Sequence, residues 1–473
     1  MRVKGGVRDN IGLAVQLRHR PSDERRRFRK NEIACVDPSR KDDVSARTTS
    51  RTPIARHGIL RSPSPALQVL SVLGAIVMVA VISVGAVGAF YVWTVALTVE
   101  AAGVSIGDDG EVLPPSLGEI EGGVNLLVVG TDSCEGANTA LSGACQAGDT
   151  AGERNDVTML VHISDAPRRV TVVSFPRDMI VPIPACIGED GTQYSAMSAQ
   201  MLNVSYMYGG LRCTKMTIEA LTGIEIQFAA ATRWTGVINM SDAIGGVQVC
   251  LADDIDDDHT GLHLKAGNPT LQGVEALQFL RIRHGIGDGS DLGRISNQQQ
   301  FMSSMVRKLQ SDGVLNDPGT LFNLANTAVA QVNQKQIVLS QSLANPQRMV
   351  QIAMAVRSVP YEDIVFVQYP TAYAEGGLRV LPVTSAADVL FEALANNQPL
   401  QLTGTTSDGY GTKVVGEATP PEAGVTAAPT PTAPGTTDPT TSESRAPTDP
   451  VVQLPNSITG QTAAQVTCTV GQR

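Results

Sequence analysis

The run VTMLVHISDAPRRVTVVSF (residues 157–175) decides how this chain can fold. Two stretches rich in β-branched residues, VTMLVHIS (157–164) and RVTVVSF (169–175), flank the turn signal Asp165-Ala166-Pro167. That pattern predicts two strands joined as a hairpin, so the sheet that holds them is not purely parallel. Upstream, VNLLVVG (124–130) reads as a buried strand ending at a Gly/Asp turn. Downstream, SAMSAQMLNVSYMYGG (195–210), CTKMTIEALTG (213–223) and WTGVINMSDAIGG (234–246) are helix-like and stop at glycines, and GVQVCL (246–251) is a strand. Further helices are expected around 296–310, 318–332, 345–357 and 385–396, with late strands at 363–370 and 379–383. Strands and helices interleave, which predicts an α/β fold with helices on both faces of a mixed sheet.

Around this domain, 124–402, the composition changes sharply. The whole chain of 473 residues carries a formal net charge of −10, with 4% aromatic residues. Acidity and scarce aromatics exclude non-specific nucleic-acid binding and base-stacking platforms. Residues 1–65 are rich in arginine and are expected to be a disordered cytoplasmic tail. Residues 66–97 contain no charged side chain and exceed the roughly 20 apolar residues a membrane-spanning helix needs. Tyr91 and Trp93 sit near its far end, where interfacial aromatics belong. The basic side stays in the cytoplasm, so the expectation is a single-pass membrane protein with everything after a connector, 98–123, outside the cell membrane. A cleaved signal peptide is the competing reading, disfavoured by the length of the run and the lack of an A-x-A site. Residues 403–450 are a Pro/Thr-rich linker that cannot bury enough apolar surface to fold. Residues 451–473 form a short tail, too small for an independent domain, with Cys468 open either to tether it or to pair with another chain.

Six of the seven cysteines fall after the apolar run, where disulfides persist. Cys134 with Cys145, and Cys186 with Cys213, are plausible local bridges, and Cys250 inside GVQVCLA reads equally as a free buried thiol. No C-x-x-C pair is present.

The chemistry points to LQFLRIRHGIGDGSDLGRISNQQQ (277–300), which gathers Arg281, Arg283, Asp288, Asp291, Arg294 and Gln298. Planar guanidiniums aimed at one turn suit a phosphate or pyrophosphate, because each donates two parallel hydrogen bonds. Read as a strand, 279–283 places Arg281 and Arg283 on one face. Read as a helix, 294–310 places Arg294 and Gln298 together, with Ile295, Met302, Met305, Val306 and Leu309 as its buried side. Three other strand ends carry similar groups: Asp132 in VVGTD, Arg154 and Asp156 in ERNDVTML, and Arg177 and Asp178 in SFPRDM. Aspartates beside arginines suit a hard divalent cation, Mg²⁺ or Mn²⁺, shared with a phosphate. Any one of these pairs alone is more often a structural salt bridge. The acidic run DDIDDDHTG (253–261) lacks EF-hand spacing and reads as a solvated loop, and there is no H-E-x-x-H, G-x-S-x-G or P-loop lysine motif.

Taken in order, VNLLVVGTD, RNDVTMLV, VVSFPRDM, LNVSYMYGG and LRIRHGIGDGSDLGRISNQQ resemble the LytR-CpsA-Psr family of cell-envelope proteins over about 124–402. The alanine- and arginine-rich composition, with cysteines so placed, looks actinobacterial. The resemblance implies an α/β/α sandwich with an apolar lipid cleft. It also implies an extracytoplasmic phosphotransferase that moves a glycan with one phosphate from a polyprenyl-pyrophosphate-linked donor to peptidoglycan. By the same resemblance, Asp132 and Asp156 match magnesium-associated aspartates. Arg154, Arg177, Arg281, Arg283 and Arg294 match the pyrophosphate-gripping arginines, and Asp178, Asp291 and Gln298 match further catalytic motif positions. Two positions depart from the family pattern: Asn297, where an arginine is frequent, and Met179, where a threonine is. The competing reading is a non-catalytic scaffold that binds polyprenyl phosphate or glycan with the same arginines.

Overall fold

The computed structural model describes residues 103–106, 120–148, 152–188, 190–311, 318–377, 379–404, 411–418 and 450–472, together with positions 70, 73–79, 81–83, 86 and 90. The expected cytoplasmic tail and most of both 66–97 and the Pro/Thr-rich linker lie outside the described residues. Among the described residues no helix is long and apolar enough to cross a membrane.

The hairpin is the centre of the molecule. β1 (Val124–Thr131), β2 (Asn155–Ile163) and β3 (Val170–Phe175) form an antiparallel meander, with Val161 opposite Val172 and Leu127 opposite Leu160. Every residue of β3 is buried, as expected of a strand covered on both faces. β4 (Phe228–Thr232) adds parallel to β1, and β5 (Ile337–Leu339) closes that side antiparallel. On the other side β6 (Ile364–Gln368) lies parallel to β3, and β7 (Gly460–Thr462) is antiparallel to β6. The order is β5-β4-β1-β2-β3-β6-β7, a mixed seven-stranded sheet.

Alternation along the strands separates two cores. Leu127, Val129, Leu160, Val173 and Phe175 pack with Leu211 and Ile218 of α1 (Val204–Thr222) and with Leu390 and Phe391, which belong to a C-terminal helix. The opposite face sets Val124, Ile163, Val170 and Val172 against Leu343, Ala355 and Tyr361. The helices on that face are α4 (Asp291–Ser311), α5 (Pro318–Asn333) and α6 (Pro346–Arg357). Before them come α2 (Trp234–Ala243) and α3 (Gly273–Arg281), and α7 (Thr384–Ala395) is the helix that carries Leu390 and Phe391. Helices therefore cover both faces, as the interleaved pattern predicts. Truncating a fully buried contact such as Leu160 to alanine costs about 2–5 kcal/mol.

Four sequence expectations are corrected. Residues 279–283 are not a strand: α3 runs through Arg281 and only Ile282 turns extended (φ −57°, ψ 136°). Ala276, Leu277 and Phe279 are buried at helical spacing, so the period-2 reading of LRIR mistook a helix end for a strand. Residues 195–210 are not one helix, because Met197–Met201 pairs antiparallel with Ile180–Ile183 and α1 begins only at Val204. Gly209 and Gly210 leave helical geometry, and the helix resumes and stops at Gly223 in the left-handed conformation. The domain does not end at 402. β7 completes the sheet, and Gln465–Thr469 pairs antiparallel with Thr412–Glu417. Finally, Cys250 is not a free thiol. The described residues hold three disulfides, Cys134–Cys145, Cys186–Cys213 and Cys250–Cys468, and the last ties the C-terminal segment to the core.

Candidate active site

Four chain segments deliver charge to one edge of the sheet. β1 ends at Thr131, and Asp132 follows a register break at Gly130/Thr131. The Arg154 amide donates to Asp132 Oδ1 (2.6 Å) and the Asp132 amide to the Arg154 carbonyl (3.2 Å), which locks these two turns together. β2 then presents Asp156. β3 ends at Phe175, and a turn closed by the Met179 amide on the Pro176 carbonyl brings round Arg177. Its Nη1 donates to Asp156 Oδ1 at 2.7 Å. α4 begins with Asp291 and carries Arg294 one turn on. Arg294 Nη2 donates to the Asp156 carbonyl (2.9 Å) and lies 2.7 Å from Asp291 Oδ1. Arg177 Nε is 3.5 Å from the same Asp291 oxygen and 3.8 Å from Asp178, which also faces Arg379 at 3.4 Å. Asp291 at the first turn of α4 is further favoured by the helix dipole.

Electrostatics follow from that convergence. Burial alone would raise the Asp156 carboxyl, but Arg177, Arg294 and Arg281 outweigh it and hold the group below the ordinary carboxylate range. Arg177 is pushed the other way: burial disfavours its charge, while Asp156, Asp291 and Asp178 more than offset it and raise its pKa. Asp132 is raised to about 6, mainly by burial and next by the charge of Asp156. Arg281 differs from its neighbours. Burial lowers its pKa from the guanidinium value, and among the described residues no carboxylate lies within ion-pair distance of it. Its guanidinium carbon sits 4.0 Å over the Trp234 ring, and Nη1 donates to the Leu141 carbonyl (3.2 Å). Arg283 likewise has no carboxylate partner among the described residues, and its Nε donates to the Gly289 carbonyl (3.2 Å).

These groups border a cavity of about 660 Å³. Asp156, Arg177, Arg281, Arg283, Arg294 and Gln298 reach its lining. Asp132, Arg154, Asp178 and Asp291 do not line it. They stand behind the lining or beside it, paired as described. The rest of the wall is largely apolar, including Val128, Val157, Ala230 and Ile337 from the sheet and Phe301 and Met302 from α4. Met305 and Leu309, expected as close-packed core, also border this space. A hollow of this size, apolar with a few convergent polar groups, is typical of a ligand site.

Several contributors were not singled out in the sequence. Trp234 sits beneath Arg281, and the Cys134–Cys145 loop packs on it through Leu141. The His259 and His284 rings meet at a tilt, 4.3 Å between centroids, on the cavity wall near Asp257, which is buried rather than solvated because the His259 amide and Thr260 hydroxyl donate to its two oxygens. No spacing rule links these positions. The departing residue Asn297 has a structural use: its Nδ2 donates to the Phe279 carbonyl (2.7 Å), and Gln298 Nε2 to the Leu280 carbonyl (2.9 Å). These amides cap the open end of α3 and thereby fix Arg281.

The LytR_cpsA_psr family model matches residues 100–389. The chain belongs to the LytR-CpsA-Psr family. Cell wall biosynthesis protein LcpA of Corynebacterium glutamicum is 31% identical over 232 residues, which is 45% of this chain and 45% of that protein. Polyisoprenyl-teichoic acid–peptidoglycan teichoic acid transferase TagU of Bacillus cereus is 28% identical over 214 residues, 45% of this chain and 64% of its own length. The chain thus spans less than two thirds of these curated relatives. The LytR-Csp2A-Psr enzyme from Actinomyces oris aligns at 20% identity with a TM-score of 0.45, over 59% of this chain and 95% of that one. In this LytR-CpsA-Psr protein, β7 and Cys468 lie beyond the matched residues.

Proposed function

We propose that this protein is an extracytoplasmic phosphotransferase, held to the cell membrane by residues 66–97. It ligates a glycan-1-phosphate from a polyprenyl-pyrophosphate donor to peptidoglycan. One observation carries this reading: Arg281 and Arg283, without carboxylate partners among the described residues, open onto a cavity of about 660 Å³ whose remaining wall is mostly apolar. Such a site suits a ligand with a doubly anionic head and a long hydrocarbon tail. Family membership and relatives named for cell wall biosynthesis and teichoic acid transfer support the reaction class. The large exposed apolar side chains at Leu73, Ile76, Val77 and Ile82 support the anchor.

In this reading Arg281 and Arg283 take the diphosphate, and Arg177 and Arg294 steady the charge that builds as the bond to the lipid phosphate breaks. Asp156 and Asp291 hold those two guanidiniums in place beforehand. Gln298 fixes the helix end that presents Arg281. The donor set also fits a hard divalent cation. Asp132 and Asp156 are close enough for one charge to raise the other's pKa, and carboxylate oxygens suit Mg²⁺ or Mn²⁺. Bound there, the ion would supply charge neutralisation on the phosphoryl oxygens.

The test is release of polyprenyl phosphate from a synthetic lipid-linked glycan, with peptidoglycan fragments as acceptor, Mg²⁺ present or chelated, and the product weighed by mass spectrometry. Binding of the donor without release identifies a scaffold and rejects the transferase.

A further inference from the structure

The loop 282–290 carries Arg283 and joins α3 to α4, so its position sets the spacing of Arg281, Arg283 and Arg294. Within it, Gly285, Gly287 and Gly289 all adopt positive φ (87°, 48° and 74°), and the loop has no sheet or helix of its own to belong to. Its backbone is tied instead to the C-terminal segment. The Gly287 amide donates to the Val470 carbonyl (3.0 Å), and the Gln472 amide to the Gly285 carbonyl (2.9 Å). The Gly285 amide donates to Gln472 Oε1 (2.9 Å), and Ile286 faces Gly471 in an antiparallel bridge. The same segment reaches α4. The Thr469 hydroxyl faces Asn297 Oδ1 at 2.6 Å and also Gln300 Oε1, and Gln300 Nε2 donates to the Thr467 carbonyl (2.9 Å). Asn297 in turn caps α3. One short stretch therefore touches the loop, the first turns of α4 and, through Asn297, the end of α3.

We infer that residues 467–472 are a positioning strap for the arginine loop: they hold the backbone at Gly285 and Gly287 so that the guanidiniums on either side stand ready for the anionic ligand. The strap lies outside residues 100–389 that match the family, so it is a part of this site that the family match does not include. Its catalytic consequence rests on the transferase reading, and its structural consequence does not.

Three variants test it. A chain ending at Thr469 keeps β7, Cys468 and the Thr469 hydroxyl but loses Val470 and Gln472. Gln472→Ala removes one acceptor, and Gln472→Glu restores an oxygen at the same place. Amide hydrogen exchange at Gly285 and Gly287 should quicken at least about tenfold in the shortened chain, the order expected for losing one or two backbone hydrogen bonds. The apparent KM for the lipid-linked donor should rise about tenfold while kcat changes less. Gln472→Glu should return both towards wild type. Unchanged exchange overturns the inference, and so does faster exchange with an unchanged KM. If the unaltered protein turns over no donor, the proposed function fails. Exchange, with inorganic pyrophosphate binding by calorimetry, then still decides the strap: weaker binding in the shortened chain supports it, and equal binding overturns it.

Discussion

The two ends of β2 are both largely shielded from solvent, yet they treat ionisable groups in opposite ways. Near its start, Asp156 stays ionised because guanidiniums from three other parts of the chain outweigh the cost of burial. Near its end, His162 is buried more completely, and its pKa falls to about 4 with burial as the cause. Its Nδ1 meets Asn125 Oδ1 at 2.7 Å, and among the described residues Nε2 has no hydrogen-bond partner. Arg169, Glu362 and Asp363 border the same small hollow without fixing a charge on the ring. The contrast teaches that burial by itself neutralises, and that a buried charge persists only where opposite charges converge from elsewhere in the fold. The first end gathers opposite charges at the cavity, and the second packs a neutral ring into the sheet.

Arg177→Ala should break the contrast most completely. It strips Asp156 of its 2.7 Å partner and leaves Asp291 with Arg294 alone. Removing one partner from such a buried network costs about 3 kcal/mol, and transfer should become undetectable. The loss is read from the urea midpoint and from polyprenyl phosphate release. A variant as stable and active as the parent would mean that Asp156 needs no converging charge.

Next in size is Asp156→Asn. The amide oxygen can still accept from Arg177, but the negative charge that pairs with that guanidinium and, in the proposed reading, helps to bind the metal is gone. Transfer should fall about a hundredfold or more, the usual cost of losing one pre-set electrostatic group. The Mg²⁺ concentration for half-maximal rate should rise. An unchanged Mg²⁺ titration would leave Asp156 as an arginine holder only.

How far the sequence shows this site depends on the kind of signal. β1, β2 and β3 are legible because β-branched runs meet turn residues, and their ends place Asp132, Arg154, Asp156 and Arg177 near one another. β4 is not, because Ala229, Ala230 and Ala231 are weak strand formers that gain their place only by pairing with β1. β7 hides behind a low-complexity linker, and Cys468 is its single hint. α3 hides because LRIR alternates like a strand, although its contacts are helical. Trp234 is a further case: stacking under an arginine 47 positions away leaves no local pattern.

A smaller effect is expected on the apolar wall. Met302→Trp, facing the cavity from α4, should exclude two or three methylenes of a hydrocarbon tail. At roughly 0.8 kcal/mol per buried methylene, this weakens a long-chain donor by about fifteen- to sixtyfold. Inorganic pyrophosphate, bound only by the charged end, should be unaffected. Calorimetry with both ligands separates the two halves, and an equal loss for both would show that the halves are not independent.

The smallest effect lies at the far end of β2. His162 is neutral in the folded protein down to about pH 4, whereas an unfolded histidine gains its proton near 6.5. Between those values the unfolded chain binds more protons, so stability is full above pH 6.5 and is lost as pH falls towards 4. At pH 5.5 the loss amounts to about 1 kcal/mol. His162→Gln, whose amide is able to donate to Asn125, should flatten that part of the profile when urea midpoints are compared at pH 7.5 and 5.5. If the slope survives the substitution, another group takes up the proton, and burial at this end of β2 does not act on the imidazole as the contrast with Asp156 requires.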